Sequence, residues 1–184
     1  MAAANVEEEL IAYDGVLAYA AVGATAPTAA DSPLALAWID LGLTIEGVTR
    51  SEPVESTTRR GWPRNTKLRT IVSSQAVRWV TALVQANIDT VELFHGVTVN
   101  IDGSIVTNPG IWPAQAFVLD AIDDGADGIG QIIREYMPQG RIVEIGEQAI
   151  NTVAGLAWPV TIESEYDATI GGHTKRWFSA LAGS

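Results

Sequence analysis

From Leu156 to Asp167 apolar and polar residues trade places: Leu156, Trp158, Val160, Ile162 and Tyr166 fall on one side of an extended chain, and Thr161, Glu163, Glu165 and Asp167 on the other. Period two is the geometry of a β-strand, and a single apolar face implies a sheet with one wet side. The same period recurs in Leu68, Thr70 and Val72 against Arg69, Ile71 and Ser73, and in Val77, Trp79 and Leu83 against Arg78, Val80 and Val84. Ala37–Thr49 is also strand-like, with Gly42 and Gly47 each placed to mark a bend or bulge. Short strands of this kind imply a mainly β fold. The expected architecture is an antiparallel β-sandwich or partly closed barrel with one short flanking α-helix, a long inter-strand loop and extended terminal arms.

Turn residues place the joints. Asn87 or Asp89 caps a short helix, with Glu92 at capping-box spacing from Asp89, Ile88, Val91 and His95 along one face, and Gly96 at its end. Val97–Val106 reads as a hairpin around Asp102-Gly103, a dipeptide that tolerates the positive φ of a type I′ turn. Ala114–Ile122 and Ile129–Met137 flank the Gly-Asp cluster 123–130 as strand, loop and strand, and Gly171-Gly172 offers another hairpin turn before Lys175–Phe178. A chain of 184 residues fits one domain, 1–184. Within it, residues 1–35, rich in Ala and Gly with Pro27 and Pro33, read as an amino-terminal arm, 50–69 as a long basic loop suited to stacking, and 173–184 as a carboxyl-terminal segment.

The basic loop is the strongest departure from the rest of the chain. Arg50, Arg59, Arg60, Arg64, Lys67 and Arg69 are six of the eleven bases, opposed locally only by Glu52 and Glu55. That stretch is net +4, leaving −15 on the remainder of a chain whose total is −11. It holds too little apolar content to pack a core, so it reads as a projection toward an acidic surface, another copy of the chain included. The overall negative charge argues against nonspecific nucleic-acid binding, which needs Lys and Arg to neutralise phosphates. With 47% hydrophobic residues, general disorder is excluded. The absence of cysteine removes disulfides and thiolate chemistry. The acidic start, with Glu7, Glu8 and Glu9, lacks a secretory n-region, and Asp40 interrupts the best apolar run, so a soluble, untargeted protein with no membrane partner is expected.

Catalytic chemistry finds little to work with. The two histidines, His95 and His173, lie in unrelated contexts without a nucleophile motif. Asp123, Asp124 and Asp127 suggest a calcium loop, but the third position is Gly125 and the twelfth is Arg134, so the EF-hand pattern fails and weak surface calcium binding is left only as a minor alternative. Gly128-Ile129-Gly130 lacks the third glycine of a dinucleotide fingerprint. Glu163 and Glu165 sit on the polar face of an alternating strand, unlike a glycosidase pair. No catalytic residue, cofactor or metal is expected. Of the six tryptophans, Trp38, Trp79 and Trp158 belong by periodicity to the core, and Trp62 in the basic loop is a candidate interface anchor.

Gly15-Val16-Leu17-Ala18-Tyr19-Ala20 through Gly23, Thr25 and Pro27, then Trp38-Ile39-Asp40-Leu41-Gly42 and Glu46-Gly47-Val48, resemble the opening of major tail tube proteins of long-tailed bacteriophages, especially those of actinobacterial hosts. The stretch from Trp79 through Asn87 to Gly96 is similar to the same family. The resemblance implies a β-sandwich flanked by a helix, assembled as hexameric rings stacked into a tube through which the genome leaves the virion. It implies a virion location after synthesis in the host cytoplasm, and tape measure, tail terminator and distal tail proteins as partners. DNA passes without specific binding. Ring-to-ring contact is carried by the terminal arms and by the segment Ser51–Lys67; the residues expected to serve it are Arg50, Arg59, Arg60, Trp62, Arg64, Lys67 and Arg69, with Glu163 and Glu165 as candidate lumen-facing acids. No additional immunoglobulin-like domain is evident. Two other readings stay open: a capsid decoration or host-binding β-sandwich protein, and the inner-tube protein of a contractile secretion apparatus.

Overall fold

The structure, a computed structural model, describes residues 11–62, 65–107, 112–123, 130–150 and 155–181. Its elements in chain order are β1 (Asp14–Ala21), β2 (Ile39–Asp40), β3 (Thr44–Ser51), β4 (Val54–Gly61), β5 (Thr66–Gln75), β6 (Arg78–Leu83), α1 (Ile88–His95), β7 (Gln115–Asp123), β8 (Gln131–Ile145), β9 (Trp158–Ser164) and β10 (Lys175–Phe178). All strand pairings are antiparallel. One sheet runs β2-β1-β7-β8-β9-β6-β3, with β10 also on β8; β4 and β5 make a sheet of their own. The expected mainly β, sandwich-like fold with one short helix is the fold observed.

The long strand β8 holds the main sheet together. Its first part pairs with β7 on one edge and β10 on the other, and its last part pairs with β9. Gly140 marks the exchange, opposite Gln115 on β7 and Ser164 on β9. The two halves fold over a common core in which Leu17 and Tyr19 of β1 join Trp79 and Leu83 of β6, Phe117 and Met137, and Trp158 and Ile162. Helix α1 adds Leu93 and Phe94. Along β9 the alternation is fully realised, with Trp158, Val160, Ile162 and Ser164 buried. It stops there: Leu156 and Tyr166, expected to face inward, are exposed because they lie outside the strand.

Several local expectations need correction. Residues 14–21 of the expected arm are a sheet strand flanked by β2 and β7, with Leu17 through Ala20 buried. The small Ala18 and Ala20 turn to the outer face, where Trp38 and Tyr136 meet edge to face at 6.0 Å. The chain ahead of Trp38 is held across that face by Arg134. Its guanidinium pairs with Asp120 at 2.6 Å, donates to the Ala29 carbonyl at 3.1 Å, and also donates to the Ser32 carbonyl. In α1 the N-cap is Asn87, whose Oδ1 accepts from Thr90 N at 2.7 Å, and Gly96 closes the helix at φ +64°. The fully buried residues are Thr90, Leu93 and Phe94, with Phe94 edge to face with Trp158 at 5.2 Å; of the expected face, Val91 is partly buried against the core and His95 half-buried, while Ile88 is exposed. Glu92 accepts from Val99 N and forms no capping box with Asp89. The expected type I′ turn at Asp102-Gly103 does not form: Gly103 takes φ +79° but Asp102 has no positive φ, and the turn instead spans Asn100–Gly103, closed by Gly103 N donating to the Asn100 carbonyl at 2.9 Å, with Ser104 N donating to Asp102; residues 97–106 contain no strand. Val99 N is taken by Glu92, and Ile101 and Val106 stay exposed, so no face is buried to hold a ladder. Gly171, at φ +67°, lies in the loop closed by the Asp167–Gly172 bridge, but β10 then pairs with β8 and forms no hairpin with β9.

Gly42 and Gly47 behave as expected. Both take φ +74°, and Gly47 with Glu46 forms a bulge between Ile45 and Val48 where β3 meets β6. Trp38, Trp79 and Trp158 are buried.

Candidate interaction surface

The basic segment is not an irregular loop. β4 and β5 form a hairpin of eight and ten residues rooted between β3 and β6. Strand pairing requires no buried face when two backbones satisfy each other, and the β-branched residues Thr57, Thr58, Thr70 and Ile71 favour the extended form. The hairpin residues with described side chains are nearly all exposed, Trp62 at 94% and Leu68 at 69%.

Its cations are arranged against their own interest. Arg59 lies directly opposite Arg69, and Arg60 opposite Lys67. Like charges facing each other across a strand pair are destabilising. Elsewhere the arginines are neutralised: Arg78 pairs with Glu163 at 2.5 Å, Arg134 with Asp120 at 2.6 Å, Arg141 with Glu165 at 2.9 Å and Arg176 with Glu135 at 3.5 Å. Among the described residues, Arg59, Arg60, Lys67 and Arg69 form no ion pair. Arg64 lies outside the described residues.

Arg50 departs from that group. It sits at the hairpin root, bonded to the buried Glu135 at 2.6 Å and to Glu52. Burial lowers the pKa of its guanidinium, but bonds to Glu135 and Glu52 outweigh that and raise it overall. The same contact holds the Glu52 carboxyl below the usual range. Glu52, Arg50, Glu135 and Arg176 thus form a line of alternating charge from the hairpin root across β3 and β8 to β10, a feature no local sequence pattern announces. Glu163 and Glu165 are likewise engaged, each with an arginine on an adjacent strand.

The remaining polar candidates do not converge. His95 is packed edge-on to Phe94 at 4.9 Å and Trp158 at 5.9 Å, and burial lowers its pKa. His173 Nδ1 lies 3.2 Å from Ser164 Oγ, which also accepts from Val77 N at 2.8 Å and so ties strand ends together. Burial, with Asp89 at 3.4 Å and Glu92 nearby, pushes the Tyr19 phenol up to about 12. Of the calcium-loop candidates only Asp123 is described; Asp124, Gly125 and Asp127 lie outside the described residues, as does Gly128-Ile129. Among the described residues no group of three or more His, Asp or Glu is placed to hold a metal ion, and no helix is long and apolar enough to cross a membrane.

A cleft of about 430 Å³ opens between β1 and β3, lined by Tyr13, Asp14, Leu43 and Glu46 among others. It lies where the sheet fails to close, since β3 ends the strand order and β2 covers only Ala18 and Tyr19 of β1. No curated protein matches the chain. A family model described as "Phage tail tube protein" matches residues 2–179.

Proposed function

We propose that this chain, which belongs to the phage tail tube protein family, builds the tube of a long-tailed, siphovirus-type phage of an actinobacterial host as stacked hexameric rings that conduct the genome. Family membership makes it a structural, polymerising component of the phage tail. The ring and conduit reading rests on one observation: an acidic body projects an exposed hairpin whose described cations have no acidic partner among the described residues. A cationic donor and an acidic acceptor on different parts of one subunit favour a head-to-tail contact, and such contacts extend into filaments. Arg59, Arg60, Trp62, Lys67 and Arg69 carry the inter-ring contact, with Arg64, between them in the sequence, joining them; Arg50 serves it by holding the hairpin root. The terminal segments brace neighbouring subunits. Tape measure, tail terminator and distal tail proteins meet the tube at its interior and ends, after synthesis of the subunit in the host cytoplasm.

DNA passes through such a tube without binding, since net negative charge repels phosphate at short range. Glu163 and Glu165, if they face the lumen, do so with their charges offset by Arg78 and Arg141. The repulsion then falls mainly to acids without an arginine partner. Replacing Arg59, Arg60 and Arg69 together by Glu tests the hairpin. We expect a subunit with an unchanged circular dichroism spectrum that forms no tubes in negative-stain micrographs; normal tubes from that variant would remove the hairpin from the assembly.

A further inference from the structure

The hairpin needs a receiver, and the body offers one cleft whose form and charge suit it. We infer that the gap between β1 and β3 receives the cationic β4–β5 hairpin of a second copy of this chain, an assignment that rests on the head-to-tail reading above. The gap is lined by residues of β1, β3 and β7, and the first two leave strand edges open. β1 pairs with β7 on one side, but on the other side β2 reaches only Ala18 and Tyr19, leaving Asp14 to Val16 without a strand neighbour among the described residues. β3 pairs with β6 and has no described strand on its outer edge. Edges of this kind present unpaired backbone donors and acceptors, a template for another extended segment. The hairpin is an extended segment whose β4, among the described residues, pairs only with β5.

Charge selects the same occupant. Asp14 and Glu46 are exposed on opposite walls of the cleft, and among the described residues neither is in an ion pair. No Lys or Arg lines it, and its third acid, Asp120, is already taken by Arg134. The exposed Tyr13 and Leu43 provide apolar surface at the mouth for Trp62 or Leu68. Geometry requires that the hairpin come from another copy. It leaves β3 at the Ser51 end, while the cleft takes in Thr44, Glu46, Gly47 and Val48 at the other, and its described side chains are nearly all in solvent. Eight residues of strand project about 25 Å, enough to reach a neighbouring subunit.

The test reverses each partner and then both. Changing Asp14 and Glu46 to Lys should abolish tubes, as the Arg59, Arg60 and Arg69 to Glu change does, while thermal unfolding stays cooperative in each. Combining both sets in one chain, so that an acidic hairpin meets a basic cleft, should bring tubes back. Tubes that survive cleft reversal, or a folded double-reversed chain that stays unassembled, would overturn the cleft assignment and leave the hairpin's role standing. Tubes that survive hairpin reversal would instead sink the reading on which it rests. Since the chain lacks cysteine, mixing a Trp62→Cys copy with a Glu46→Cys copy under mild oxidation adds a direct measurement. Mixed disulfide dimers should exceed either homodimer at least several-fold, and equal yields would count against docking there.

Discussion

Arg134 and Asp120 place two opposite charges almost wholly out of water, with side chains 7% and 9% exposed. Such a pair contributes little net stability in itself, because desolvation offsets most of the attraction, but breaking it strands a buried charge. Asp120→Ala should therefore cost about 3–5 kcal/mol in urea denaturation. Replacing both residues by Leu and Met should recover part of that loss and no more, since the carbonyls of Ala29 and Ser32 would still lose their donor. No local pattern reveals the pair: Asp120 and Arg134 are fourteen positions apart and become neighbours only when β7 and β8 align in register. The same holds for Glu163 and Glu165. Their place on a polar face was legible from alternation, but their arginine partners were not.

Among the elements, β8 bears most on the shape of the body. At its midpoint a Cβ on Gly140 would lie 2.5 Å from Met137 Sδ and 2.8 Å from the Phe117 ring, both buried. Gly140→Ala should overpack this point and cost about 1–3 kcal/mol, read as a lower melting temperature without change in assembled form. Strands that bury one face were readable from period two, as β9 shows. The length of β8 was not, because Pro138 and Gly140 interrupt the apolar pattern at the residues where it passes from β7 to β9. The β4–β5 hairpin was missed for the opposite reason. Strand patterning by burial cannot register a ribbon with no buried face, although its charge was plain. At residues 97–106 a turn formed one residue earlier than the type I′ turn expected at Asp102-Gly103, and the strands did not follow, since a turn supplies register but no packing.

For the molecule as a whole, the proposed contact between a cationic hairpin and an acidic body makes association an electrostatic event. Raising ionic strength from 0.15 M to 1 M shortens the screening length from about 8 Å to about 3 Å. The initial rate of light-scattering increase in concentrated subunit should fall steeply over that range; a rate that rises with salt would point to apolar association instead. The line of alternating charges behind the hairpin gives this arrangement a mechanical side. A projection rooted through Arg50 and the buried Glu135 into β8 and β10 cannot swivel freely at its base. In the proposed assembly, tension applied at the tip by a neighbour would pass into the widest part of the sheet, so a column of such subunits would resist bending at its joints much as a beam does, with compliance confined to the ribbon between them.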